Sequence, residues 1–180
     1  MPSAVLSVAR RGERELAREM PEAERAQVIT DPGCAMCADI HLDVNPFSFL
    51  VAELKRSNVR LARNQFRRGW TIVALRRHAT ELFDLAPDEL AEFWHEVALV
   101  ARALSTMYRP VKINYAVLGN RCPHVHCHLV LHFQDDDPEQ GLNMNEREVL
   151  LSPSEYERIV HRLRTEVEGN ELQSTTSSLP

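Results

Sequence analysis

The sequence predicts an α+β fold in a single domain, and three observations carry that expectation. Short runs with two-residue alternation or dense β-branched content fall near 47–61, 70–75, 113–118 and 124–131, as strands require. Two stretches, from Leu85 to about Met107 and from Ser152 to about Val167, carry the spacing of amphipathic helices. The 180 residues, 44% hydrophobic and 26% charged, suffice for a real core without a second domain.

Charge and composition narrow the partners. No apolar run approaches the roughly 20 residues of a spanning helix, and the N-terminus lacks the apolar core of a signal peptide, so a cytoplasmic protein is expected. A net charge of -5 does not favour nucleic acid as partner. Arg60, Arg63, Arg67, Arg68, Arg76 and Arg77 nevertheless form a local basic stretch, which can face phosphates or only solvent. Four cysteines in a reducing compartment point away from disulfides and toward metal binding or reactivity.

In chain order, 1–30 reads as an N-terminal extension, with helix over Val5 to Gln27 despite Gly12 and Pro21. A body follows over 31–168. It opens on the turn Asp31-Pro32-Gly33 and then Cys34-Ala35-Met36-Cys37. Two thiolates at that spacing can bind one metal but are only half of a tetrahedral site; the other readings are a redox pair and two buried small hydrophobes. Phe47, Phe49 and Val51 alternate, as do Val59 and Leu61. After the turn Arg67-Arg68-Gly69, the strand Trp70 to Leu75 runs into Arg76-Arg77-His78.

Pro87 opens the clearest helix, with Asp88 and Glu89 at its positive end. Leu90, Phe93, Trp94, Val97, Val100, Ala101 and Leu104 give it one apolar face for a sheet, and Arg109-Pro110 ends it. Ile113 to Leu118 is a strand joined by Gly119-Asn120 to Cys122-Pro123-His124-Val125-His126-Cys127-His128-Leu129-Val130. In a strand, His124, His126 and His128 share one face while Val125, Cys127 and Leu129 line the other. Three readings remain open on spacing alone: a polar face in water, a metal site, and an imidazole nucleophile with oriented neighbours. Ser152-Pro153-Ser154-Glu155 is a capping box for a last helix through Tyr156, Ile159, Val160 and Leu163. The polar, serine-rich tail 169–180 is expected to be disordered.

His-x-His-x-His followed by two apolar residues resembles the signature of the histidine triad (HIT) superfamily of nucleotidyl hydrolases and transferases. The order strand, helix, strand, strand and the segment of glycine turn, strand, basic pair and histidine are similar too, so the resemblance covers about 34–134. It implies an antiparallel sheet with flanking helices, a homodimer, and a nucleotide bound beside the triad. In members with an early Cys-x-x-Cys it implies structural zinc, here on Cys34, Cys37, His78 and His124. His126 matches the nucleophile that attacks the α-phosphorus of a nucleotide ester, anhydride or phosphoramidate. His128 matches the residue bonding the phosphoryl oxygens or leaving-group bridge, and His124 would hold His126 in line. Asn120 stands at a phosphate-contacting position and Asn64 at a ribose-binding one, while Asn114 would support the site. The implied substrate carries a nucleoside monophosphate, AMP foremost, as in a dinucleoside polyphosphate. His132-Phe133 and the acidic Asp135-Asp136-Asp137 replace the Pro-Arg pair of many relatives. That departure keeps a non-catalytic, zinc-stabilised nucleotide-binding scaffold as the alternative, with a metal-binding protein using all three histidines behind it.

Overall fold

The computed structural model describes residues 30–137, 139 and 147–176. The helix expected over Val5 to Gln27 lies outside them. Five strands, β1 (Ser48–Glu53), β2 (Ser57–Ala62), β3 (Thr71–Leu75), β4 (Lys112–Val117) and β5 (His126–His132), form an antiparallel sheet in the order β1-β2-β3-β5-β4. Among the described residues three α-helices accompany it: α1 (Ala35–Asp39), α2 (Pro87–Tyr108) and α3 (Pro153–Thr176). This is the expected α+β arrangement. No helix among the described residues is long and apolar enough to cross a membrane.

Alternation decides which face of the sheet is core. Val59 and Leu61 of β2, Val73 and Leu75 of β3, and Cys127, Leu129 and Leu131 of β5 pack with Phe93, Val97, Val100 and Leu104 of α2 and Leu163 and Val167 of α3. Each large apolar side chain so buried contributes about 1.5–3 kcal/mol. The intervening β5 residues His126, His128, Val130 and His132 therefore point to the opposite face.

Local chemistry sets the ends of these elements. Pro87 occupies the first turn of α2, and Asp88 and Glu89 complement its dipole. Gly69 precedes β3 at φ 79°, and a Cβ there would stand 2.7 Å from Leu131 and 2.9 Å from Tyr108, so glycine is required on both counts. The Glu155 carboxylate accepts from the Ser152 backbone N–H at 2.8 Å and from its hydroxyl at 2.6 Å, as the capping motif predicts.

Two expectations change. The last helix runs past Val167 to Thr176, so 169–176 are helical rather than a disordered tail. A lone Gly169 costs about 1 kcal/mol in a helix. Buried Val167 before it and the Asn170 amide, which donates to the Leu99 carbonyl of α2 at 3.5 Å, oppose that cost. The arginines likewise do not make one phosphate-facing stretch. Arg60 is buried and donates to Ser48 Oγ and to the Ile40, Leu42 and Ser48 carbonyls. Arg77 pairs with Glu89, Arg76 bonds the Leu54 carbonyl, and Arg63, Arg67 and Arg68 lie over Phe49, Phe66 and Phe133.

Truncating Phe93 to alanine leaves a cavity between α2 and the sheet, and urea unfolding should show a loss of about 3–5 kcal/mol. Phe83, 83% exposed, should tolerate the same change within about 0.5 kcal/mol. Equal losses would mean that the helix-covered face is not the core.

Candidate functional site

The site begins where β3 ends and β5 starts. The Leu75 N–H donates to the Val125 carbonyl at 3.0 Å and the Val125 N–H to the Ala79 carbonyl at 2.8 Å, which holds His78 and His124 side by side. Their rings meet edge to face with centroids 5.4 Å apart. Cys34 caps the start of α1 and Cys37 lies within it, after a turn in which Asp31 Oδ1 accepts from the Gly33 N–H at 2.8 Å and the Asp31 carbonyl from the Cys34 N–H at 3.0 Å.

These four side chains converge. Their ligand atoms all lie within 4.8 Å of one another. His124 Nδ1 is 3.5 Å from Cys34 Sγ and 3.4 Å from Cys37 Sγ, and His78 Nδ1 is 3.4 Å from Cys37 Sγ. A tetrahedral ion with ordinary sulfur and imidazole bond lengths separates S and N ligands by about 3.6 Å. The outer nitrogens are held as well. His124 Nε2 lies 2.7 Å from the Leu75 carbonyl and so donates to it, leaving the Nδ1 lone pair toward the thiols, while His78 Nε2 is 3.7 Å from Asp31 Oδ2. Burial lowers the His124 pKa to about 4 and raises that of Cys37 to about 11. A neutral imidazole is ready to ligate, and a bound cation supplies the charge that draws the proton off a buried thiol. The cluster is thus a site that can hold a metal ion. Cys122 Sγ stands beside it, 3.8 Å from Cys34 Sγ.

Two residues along, the other histidines of β5 stand in different surroundings. Antiparallel register sets His126 opposite Ala74 and His128 opposite Ile72 on β3, with Ala116 of β4 flanking His128. Their rings lie edge to face at 4.8 Å. His126 Nδ1 is 2.5 Å from the His124 carbonyl, which can only accept, so Nδ1 carries the proton and Nε2 keeps its lone pair. The Trp70 indole N–H donates to His128 Nδ1 at 3.1 Å. Burial lowers both pKa values, that of His128 to about 3 with help from His126. With His124 1% and His126 5% exposed, the polar-face-in-water reading fails. Two neutral imidazoles side by side, one with a fixed free lone pair, can attack an electrophile.

The asparagines fare differently. Asn64 Oδ1 accepts from the N–H groups of Phe66 and Val149 at 3.0 and 2.9 Å, and its Nδ2 donates to the Arg147 carbonyl at 3.3 Å. The structure thus engages its amide in tying the turn after β2 to the 147–149 segment. Asn114 is exposed on β4 opposite Val130, on the same face as His128 and one pair along. Asn120 is exposed in the loop before His124. Residues missed from the sequence are Trp70, the Leu75 carbonyl and Asp31; a tryptophan just after a glycine turn was the one visible signal, and only strand register gives it meaning.

The antiparallel sheet thus carries paired histidines on an interior strand beside a cluster of two cysteines and two histidines. The HIT domain family model matches residues 45–135, just over half the chain, and the chain belongs to that family. Among solved structures it is similar to a histidine triad protein from Bradyrhizobium japonicum, 24% identical, covering 67% of this chain and 90% of that one with a TM-score of 0.61. A Zn-bound histidine triad family protein from Mycobacterium smegmatis is 21% identical over 79% and 97%, TM-score 0.54. The Plasmodium falciparum diadenosine triphosphate hydrolase is 12% identical over 67% and 76%, TM-score 0.51. At these identities the likeness establishes the fold. No curated protein matches the chain in sequence.

Metal removal gives a direct check. A chelator should lower the melting temperature, with a stability loss of about 2 kcal/mol or more, and Cys37→Ser should melt low with or without chelator. Because thiols shed protons on binding, metal affinity should weaken as pH falls. Melting of the wild type that ignores the chelator would count against a metal in this cluster.

Proposed function

We propose that the protein is a nucleotide hydrolase or nucleotidyltransferase that works through a nucleotidyl-histidine intermediate. The observation that carries this reading is the bond from His126 Nδ1 to the His124 carbonyl, which leaves Nε2 unprotonated beside a second neutral imidazole. That Nε2 attacks the α-phosphorus of a nucleoside phosphoester, anhydride or phosphoramidate; the P–N bond forms as the bond to the leaving group breaks. Water, or another acceptor, then attacks the same phosphorus and releases His126. Positioning and charge stabilisation dominate such transfers, and a rigid strand suits both. His128 bonds the phosphoryl oxygens or leaving-group bridge. Asn114 and Asn120, exposed near the histidines, are the side chains proposed to reach the nucleotide, with Asn64 kept to its tether. Adenine nucleotides such as dinucleoside polyphosphates are the proposed substrates, a reading favoured by the family and by the hydrolase among its structural neighbours.

Zinc is the proposed ion for Cys34, Cys37, His78 and His124. Two sulfurs and two imidazole nitrogens converging within 4.8 Å suit it, and four protein ligands would close the site, so that its chemistry would be structural. These residues would then hold α1, the end of β3 and the start of β5 together. A cytoplasmic location is favoured by the four free thiols. A homodimer is favoured by β4, the sheet's edge strand, which exposes Tyr115 (49%) and Val117 between the exposed Val111 and Leu118.

The decisive assay is intact-protein mass after brief mixing with dinucleoside polyphosphates and nucleoside phosphoramidates. The wild type should gain one nucleoside monophosphate; His126→Ala should gain none and turn over at least about a thousand-fold more slowly. Nucleotide binding with neither adduct nor turnover would replace the enzyme by a binding scaffold. For the dimer, sedimentation should show two subunits for the wild type and one for Tyr115→Lys/Val117→Lys. A monomeric wild type would discard it.

A further inference from the structure

We propose that Trp70 is a positioning residue for this chemistry: its indole N–H fixes His128 as the tautomer that carries its proton on Nε2. An indole nitrogen only donates. A hydrogen bond of 3.1 Å from Trp70 Nε1 to His128 Nδ1 therefore requires a lone pair on Nδ1, which sends the single proton of the neutral ring to Nε2. Serine, asparagine or histidine in the same place could serve either tautomer; tryptophan serves one. It also disfavours the imidazolium, whose Nδ1–H would point at another N–H.

The backbone fixes the donor as firmly as the acceptor. Register puts Ile72 opposite His128, so Trp70, two residues earlier, comes up on the same face of the sheet. The Trp70 N–H donates to the Arg67 carbonyl at 3.0 Å and the Trp70 carbonyl accepts from the Ala62 N–H at 2.9 Å, which closes the turn made possible by left-handed Gly69. The rings lie 5.7 Å apart at 58°, an inclined approach that leads the indole edge to Nδ1.

The result is two adjacent imidazoles in opposite tautomers. His126, bonded through Nδ1–H to the His124 carbonyl, keeps a lone pair on Nε2; His128, bonded through Nδ1 to Trp70, keeps an N–H there. A phosphoryl group entering between them meets a nucleophile for phosphorus and a donor for oxygen. Were both rings protonated on Nδ1, two lone pairs would meet the phosphoryl oxygens and repel them. Trp70 thus also keeps His128 from competing as nucleophile. The catalytic consequence rests on the function proposed above; the tautomer does not.

The test is an NMR spectrum of the resting, metal-loaded protein with 15N-labelled histidine and tryptophan. Two-bond proton–nitrogen correlations should show His128 protonated on Nε2 and bare on Nδ1. A scalar coupling across the hydrogen bond should link the Trp70 indole proton to that Nδ1. In Trp70→Phe, which keeps an aromatic ring but no donor, the coupling disappears and His128 becomes a mixture of tautomers. With a turned-over nucleotide, the same variant should lose about tenfold in kcat with KM within about twofold. A wild-type His128 protonated on Nδ1 overturns the proposal even if the variant does not fold, and so does an unchanged His128 pattern in a folded variant. The expected tautomer and coupling in a protein that turns over no nucleotide would support the assignment and count against the enzymatic reading instead.

Discussion

The placement of the candidate site depends on the antiparallel pairing of β3 with β5. Inside the ladder it sets His126 against Ala74 and His128 against Ile72. Just beyond, it carries His78 and His124 to the thiols. A slip of one residue would turn both β5 imidazoles into the core and bring Cys127, Leu129 and Leu131 out of it. The apolar alternation that builds the core is thus also what aims the histidines.

His124 joins the two halves of the site. Its side chain faces the cysteines through Nδ1 and the Leu75 carbonyl through Nε2, while its own carbonyl accepts from His126. One residue thus contributes to the Cys2His2 cluster on one side and fixes the tautomer of His126 on the other. The geometry of the cluster and that of the His126 ring cannot be altered independently.

What could be read from the sequence was what neighbours in sequence decide. The alternation around His126, the apolar stripe of α2 and the capping motif at Ser152 each state their structure within one element, and each formed. The Cys34, Cys37, His78 and His124 set was legible only through family resemblance, because the chain separates the thiols from His124 by nearly ninety residues. Tertiary partners hid the rest. Asn64 bonds a segment 85 residues away, Trp70 reaches His128 across strands 58 residues apart, and six arginines that look alike as a basic stretch take up unlike roles. Local propensity also stopped α3 too soon, since Asn170 anchors it through α2 and not through its own sequence neighbours.

The buried guanidinium of Arg60 bears on how readily the cluster could take up a metal ion. With the Asn58 amide, it grips the chain just after α1 at the Ile40 and Leu42 carbonyls, so the thiol-bearing turn is tied to β2 by bonds that involve no ligand atom. Most of the chain entropy that a flexible chelating loop would lose on capture is therefore lost already during folding. The cluster is preorganised for chelation, and loading it with a metal ion would be a local event where β3 ends and β5 starts, not a refolding of the chain.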